Sequence, residues 1–193
     1  LLDLNGGDFP EEHQVMDVFE AMKRRRMHRA FTGEMVDHDA IDRLIWAAAR
    51  APMGGKQLVR RFVVVTNPAL VKTIREVTPS LLANAPVIIL ICTDIRAAEE
   101  TMGTQGRDIL SLTDAGAAAE NIALAAVALG IGVCFFRSSN EEALKVVLEL
   151  PSTVRPDLLV AVGHPVSKPP HTHRAPKPVT FRDVYGQPWE KDG

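Results

Sequence analysis

From Asp114 to Leu129 the chain reads D-A-G-A-A-A-E-N-I-A-L-A-A-V-A-L, a helical stretch that is apolar nearly all round and is stopped by Gly130. Such a helix has to be covered on every side. One domain is the simplest reading of 193 residues, and a domain of that size covers an all-round apolar helix poorly. A partner subunit is therefore expected on its second side, where the alanines permit close approach.

The neighbouring segments read as short helices and strands. Residues 13–24 carry Val15, Val18, Phe19 and Met22 at helical spacing, predicting one buried stripe. A second helix follows Asp37 or Asp39 as N-cap, turns Ile41, Leu44, Ile45, Ala48 and Ala49 inward, and stops before Pro52. The run Pro52-Met53-Gly54-Gly55 is then a sharp loop. Residues 61–66 and 86–93 are β-rich runs bounded by turn formers, predicting strands buried on both faces, with a short helix over 68–77 between them. Residues 94–110 are charged and contain Gly103 and Gly106, which predicts a mobile lid or surface loop with at most a helical turn. A strand over 133–136 follows. Ser139 with Glu142 has the spacing of a capping box opening a helix to about Leu150. Residues 157–162 form a last core strand that runs into Gly163-His164-Pro165. The single domain thus spans 1–193, with a flexible N-terminus over 1–12 and a Pro-rich extended arm over 165–193 that must lie on another surface.

A chain of 21.1 kDa buries a core without metals or disulfides. Cys92 and Cys134 sit in apolar runs with no C-x-x-C spacing, so they read as buried, unreactive small hydrophobes in a reducing compartment. The first residues are acidic and broken by Gly6, Gly7 and Pro10, unlike a signal peptide. With no apolar run of about 18 residues, no membrane span is expected and the cytoplasm is the default location.

Five of the 22 Lys and Arg, namely Lys23, Arg24, Arg25, Arg26 and Arg29, fall just before Phe31-Thr32-Gly33. Arg25, Arg26 and Arg29 are expected to converge on one anion, because positions four apart share a helix face and Arg presents a planar fork, with a phosphorylated ligand the natural candidate. A plainer reading leaves the same side chains solvated and complementing the negative end of the helix dipole. A nucleic-acid patch is a third reading, opposed by a formal net charge of -2 and a pI near 6.3.

Several chemistries are excluded. Gly130-Ile131-Gly132 ends a helix and opens a strand, the reverse of the dinucleotide-binding order, and Phe135 stands where a third glycine belongs. His164, His171 and His173 have no carboxylate or Cys at ligand spacing, so no metal site is expected. Nothing places an acid beside His28 or beside Ser138 and Ser139 to make a nucleophile triad. Such a chain fits an enzyme whose chemistry belongs to a cofactor.

Read in order, the landmarks are R-R-x-x-R-x-F at 25–31, A-A-x-x-A-P-x-G-G at 47–55 in outline, F-V-V-V-T at 62–66, Asn84-Ala85-Pro86, D-x-G-x-A-x-x-N-x-x-L-A-A-x-A-L-G at 114–130, and G-H-P at 163–165 followed by Arg174. That order resembles the nitroreductase superfamily of flavin-dependent oxidoreductases. The resemblance implies an α+β fold: a central, mostly antiparallel sheet flanked by helices in an intertwined homodimer, with two FMN at the dimer interface and C-terminal arms exchanged between subunits. It implies that Arg25, Arg26 and Arg174 hold the FMN phosphate and ribityl, and that Arg29 lies near the N1 and O2 edge of the flavin. Pro52, Met53 and Gly54 would meet the ring from the other subunit, and Phe136, Arg137 and Ser138 would flank its opposite side.

The implied activity is a hydride relay from NADH or NADPH through FMN to a nitroaromatic, a quinone or a similar small acceptor, with Arg29 as the catalytic cation. The chain departs from the family pattern at Met27 and Met53, where Ser is common, and at Lys56, Gln57, Leu58, Val59 and Arg60, where Asn-x-Gln-Pro-Trp is common. The side-chain hydrogen bonds that the family pattern would supply to the flavin from those positions are therefore absent, while main-chain contacts remain available. Arg137 replaces an acidic residue near the ring. Alternatives are a flavin-binding protein of the same fold with little reductase activity, a flavin-fragmenting or dehalogenating enzyme, and a nucleic-acid module using Lys23 to Arg29.

Overall fold

The computed structural model describes residues 16–55, 58–81, 84–137, 139–167 and 179–189. Helices α1 (Val18–Arg24) and α2 (His38–Ala49) precede strand β1 (Arg60–Val65), helix α3 (Pro68–Glu76) and strand β2 (Val87–Asp94). Helix α4 (Ile95–Gln105), a π-helical turn (Gly106–Leu110) and helix α5 (Ser111–Ala128) follow, then β3 (Gly132–Phe136), α6 (Glu141–Val147) and β4 (Val154–Gly163). The four strands make one antiparallel sheet in the order β1-β2-β4-β3. This is the α+β architecture expected, with helices on both sheet faces.

Side chains alternate across a strand, so β2 feeds two cores. Val87, Ile89 and Ile91 pack with Ile41 and Leu44 of α2 and with Ala118, Ile122 and Ala126 of α5. Ile88, Leu90 and Cys92 pack with Val71 and Ile74 of α3 and Leu144 of α6. Strand β2 is buried on both faces as expected, but β1 is not: Arg61 and Val64 are exposed because β1 is an edge strand. Strand β4 begins earlier than expected and runs through Pro156, which is tolerated because the register slips by one residue where Ile91 faces Leu158 and Cys92 faces Pro156.

Residues 94–110 are helical, not a loop. The Asp94 carboxylate caps the Ala97 N–H at 3.1 Å, Arg96 and Glu100 pair at 2.9 Å, and Arg107 reaches Glu99 at 2.8 Å. The charges that suggested a surface loop are the helix's own cap and ion pairs. Gly103, at φ 67°, kinks the axis, and Gly106 packs so closely that a Cβ there would lie 2.2 Å from that of Met102. The cap of α6 is Asn140, whose side chain accepts from Ala143 N–H at 3.1 Å, so Ser139 and Glu142 form no capping box.

Within one chain an apolar side of α1 and a small-residue side of α5 stay open. Val18, Phe19 and Met22 are 50%, 73% and 51% exposed, and Ala21 is the buried residue of α1, which reverses the inward stripe expected. Helix α5 buries Ala115, Ala118, Ala119, Ile122, Ala123 and Ala126 but leaves Thr113 and Gly116 exposed. In the tail, residues 179–189 are not simply extended: Phe181 bridges Pro188, Trp189 N–H donates to Thr180 O at 2.8 Å, and the Arg182 guanidinium lies 5.2 Å from the Trp189 ring. Among the described residues no helix is long and apolar enough to cross a membrane. Cys92 and Cys134 are free and buried, and burial beside Asp157 pushes the Cys92 thiol up to about 12, as expected of unreactive thiols.

Candidate active site

The basic run does not continue as a helix. Helix α1 ends at Arg24, and Arg25 turns to φ -51°, ψ 130°, so the shared-face argument fails beyond that point. Arg25 Nε pairs with Glu120 of α5 at 3.1 Å, while Arg26 Nη1 donates to Lys23 O at 2.8 Å and Arg25 O at 2.7 Å. In the single chain Arg26 thus reaches carbonyls at the helix C-terminus.

Beyond Arg26 the chain is strapped along the sheet edge. Met27 bridges Val133 in parallel, His28 N–H donates to Val133 O at 2.9 Å, Thr32 N–H donates to His164 O at 2.9 Å, and Phe31 bridges Pro165. The strap lies close because Gly132 and Gly163, paired with each other, carry no side chain: a Cβ on Gly132 would meet His28 Cγ at 2.9 Å, and one on Gly163 would meet Pro86 Cδ at 2.8 Å and Phe31 Cδ1 at 3.0 Å. Gly163→Ala is expected to cost about 1–3 kcal/mol through overpacking, measured as a lower urea midpoint; an unchanged midpoint would mean that Phe31 repacks freely.

The strap delivers Arg29 to a cleft of about 300 Å³ lined by Arg29, Ser80, Cys134, Phe135, Phe136 and Arg137. Phe136 is 8% exposed and makes an apolar floor, whereas Arg29 and Arg137 are exposed. Neither guanidinium has a hydrogen bond or ion pair among the described residues. The cleft therefore sets two exposed cations beside the edge of the core at Phe135 and Phe136. In the strap, against Gly132, His28 is held below its ordinary value of 6.5 by burial, and its Nδ1 has no partner among the described residues. The unfolded chain takes up that proton more readily, so this contribution is present above about 6.5 and is lost as pH falls below it. His28→Gln should flatten the fall in Tm between about pH 7.5 and 5.5; a slope equal to the wild type would remove His28 from the account.

Pro52, Met53 and Gly54 lie elsewhere, at the junction of α2, α4 and α5. Gly54 N–H donates to Asp114 Oδ2 at 2.8 Å, and a Cβ on Gly54 would lie 3.0 Å from Met102 Sδ. Arg60, 7% exposed, holds the loop from beneath. Its Nη1 donates to Asp114 O at 3.1 Å and Pro52 O at 3.5 Å, and its Nη2 to Ala51 O at 3.1 Å and Ala49 O at 3.5 Å. Burial lowers its pKa, with Asp114 acting in the opposite sense. Arg60, one of the positions that depart from the family pattern, is thus a scaffold of this loop. Lys56, Gln57, Ser138, His171, His173 and Arg174 lie outside the described residues. Of the residues expected in one site, the structure gathers Arg29, Phe136 and Arg137 in one cleft, holds Arg25 and Arg26 on intrachain acceptors, and keeps 52–54 out of that cleft's lining within a single chain.

A second polar cluster flanks this region. Asp157, 4% exposed, accepts from Thr93 Oγ1 and from Arg155 Nε, each at 2.5 Å. Arg155 also donates to Arg107 O at 2.9 Å and Ser111 Oγ at 2.8 Å, tying β4 to the π-helical turn. Burial raises the Asp157 pKa, against the opposing effects of Thr93, Arg155 and Arg137.

The chain is similar to known proteins. A protein of Methanothermobacter thermautotrophicus, provisionally named NADH dehydrogenase/NAD(P)H nitroreductase, is 30% identical over 160 residues, covering 80% of either chain. An FMN reductase (NADPH) of Bacillus subtilis is 26% identical over 86% of this chain and 73% of its own. The crystal structure of a nitroreductase family protein from Clostridium novyi NT superposes with a TM-score of 0.69 at 26% identity, covering 78% of this chain and 86% of that one. The model of the nitroreductase family matches residues 22–82 and 72–164. Because that match runs from α1 through β4 and takes in the Arg29 strap, the Arg60-held loop and the whole sheet, the chain belongs to the nitroreductase family.

Proposed function

We propose that this chain is an FMN-dependent oxidoreductase that passes a hydride from NADH or NADPH to a small acceptor such as a nitroaromatic or a quinone, working as a homodimer in the cytoplasm. The observation that carries the reading is the free Arg29 guanidinium beside the apolar Phe136 floor in a chain of this family. Bound FMN supplies the two-electron chemistry, accepting from the nicotinamide and giving to the acceptor.

The residues present fit that cofactor. A flat ring would lie against Phe135 and Phe136, Arg29 would be the cation available to the negative charge that reduction puts on it, and Arg137 would flank it; Ser138 is assigned to the same flank by its place after Arg137 in the sequence. Arg25 and Arg26 fit the phosphate: freeing Arg25 breaks one partly exposed pair with Glu120, worth about 0–1 kcal/mol, whereas a charge-assisted fork on a phosphate is stronger. Arg174 is assigned to the same group by its place after G-H-P.

Pro52, Met53 and Gly54 are assigned to the site of a second copy. Supporting this are the exposed Val18, Phe19 and Met22, the open Thr113 and Gly116 side of α5, and the separation of the 52–55 loop from the Arg29 cleft. Exchange of the C-terminal arms belongs to the same proposal. The two free buried thiols suit a reducing compartment.

The test is anaerobic stopped-flow mixing of the FMN-loaded protein with NADH and with NADPH, followed by a quinone. Bleaching of the flavin band by either donor and its return with the quinone is the expected result. A flavin band that neither donor bleaches would leave a flavin-binding protein and sink the reductase reading.

A further inference from the structure

We propose that the Arg29 cleft selects acceptors carrying an anionic group, with Arg137 as the selecting cation; this rests on the reductase reading above. Among the described arginines, Arg29 and Arg137 alone have no hydrogen bond, ion pair or ring contact. Both line the same cleft. If Arg29 is committed to the cofactor, Arg137 remains exposed in the cleft lining with no direct ion pair among the described residues. Arg137 also lines an adjoining polar cleft of about 320 Å³ with Ser139, Glu141 and Pro156.

The nearby carboxylates are already engaged. Asp157, which Arg137 influences electrostatically, is 4% exposed and has both oxygens bonded to Thr93 and Arg155. Glu141 is paired with Lys145 at 2.9 Å. An acceptor carboxylate therefore has an arginine fork without an internal competitor, beside an aromatic floor that suits a flat ring. For a nitroaromatic acid the balanced step is nitro group plus NAD(P)H plus one solvent proton giving a nitroso group, NAD(P)⁺ and water. The hydride's two electrons break one N–O bond, and that oxygen leaves as water.

The experiment compares 4-nitrobenzoate with its uncharged methyl ester, measuring kcat/KM for each with the FMN-loaded wild type and with Arg137→Gln and Arg137→Glu. The acid-to-ester ratio should fall roughly 10- to 100-fold in Arg137→Gln and further in Arg137→Glu, as loss of one charge-assisted contact predicts. In the wild type alone the ratio should also fall as salt rises from about 0.01 to 0.15 M, because an exposed cation is screened; this arm needs no variant. Turnover of both compounds at a ratio indifferent to Arg137 and to salt overturns the inference and leaves the reductase reading intact. A variant that changes the NADPH-to-NADH ratio but not the acid-to-ester ratio also overturns it, assigning Arg137 to the donor's 2′-phosphate. If neither compound is turned over and neither donor bleaches the flavin, the reductase reading fails and takes the inference with it.

Discussion

Arg60→Ala should lower stability by about 2–4 kcal/mol, lowering Tm by about 5–15 °C. The side chain is 7% exposed and donates to four backbone carbonyls on two elements, so its removal leaves buried acceptors unpaired and a void beneath the loop. The two 3.1 Å bonds, to Asp114 O and Ala51 O, carry most of the effect, since the two at 3.5 Å are at the limit of hydrogen bonding. Arg61 provides the comparison. It is the next residue, but its pair with Asp94 is long, 3.6 Å, its side chain is 46% exposed, and its donations to Leu58 O and Arg60 O are local to its own strand end, so Arg61→Ala should cost less than about 1 kcal/mol. Urea unfolding of both variants is the check. Equal losses would mean that the fork of Arg60 contributes no more than a surface charge.

Arg29→Ala should behave in the opposite way. Arg29 is exposed and makes no hydrogen bond or ion pair with the described residues, so stability should stay within about 0.5 kcal/mol. Flavin reduction should slow by about 10²–10³, the cost typical of losing a donor aimed at developing negative charge. Arg29→Lys keeps the charge but not the planar fork and should fall between. Stopped-flow rates at saturating donor, set beside unfolding curves, separate the two effects; a variant that reduces flavin at the wild-type rate would remove Arg29 from the proposed chemistry.

The elements were legible where periodicity and punctuation agree. Asp37 before an apolar stripe and Pro52 after it bounded α2, and the β-branched run of β2 marked a strand buried on both faces. Errors arose where one residue type serves two ends. Charges over 94–110 looked like solvent-facing loop yet are the caps and pairs of α4, and its glycines mark a kink and a close approach. The Arg25, Arg26 and Arg29 cluster was visible, but its geometry was not, because the helix ends at Arg24 and a sheet-edge strap takes over. Asp114 and Met102 gave no local signal as loop contacts, being distant in sequence from Gly54. Arg60 could not be found by pattern either: its value lies in carbonyls from two separate elements. The paired glycines of G-I-G and G-H-P were legible as turn formers, while their use as a seat for Phe31 and His28 needed the β3 and β4 register.

The most direct test of the central claim is size-exclusion chromatography with mass measurement and flavin absorbance on the same peak, after loading with excess FMN and desalting. A species of twice the chain mass carrying about one FMN per chain is expected, because in the proposed dimer each site would combine the Arg29 cleft of one copy with the 52–54 loop of the other. A monomer that retains FMN would contradict the shared site, and a dimer that retains none would contradict the cofactor.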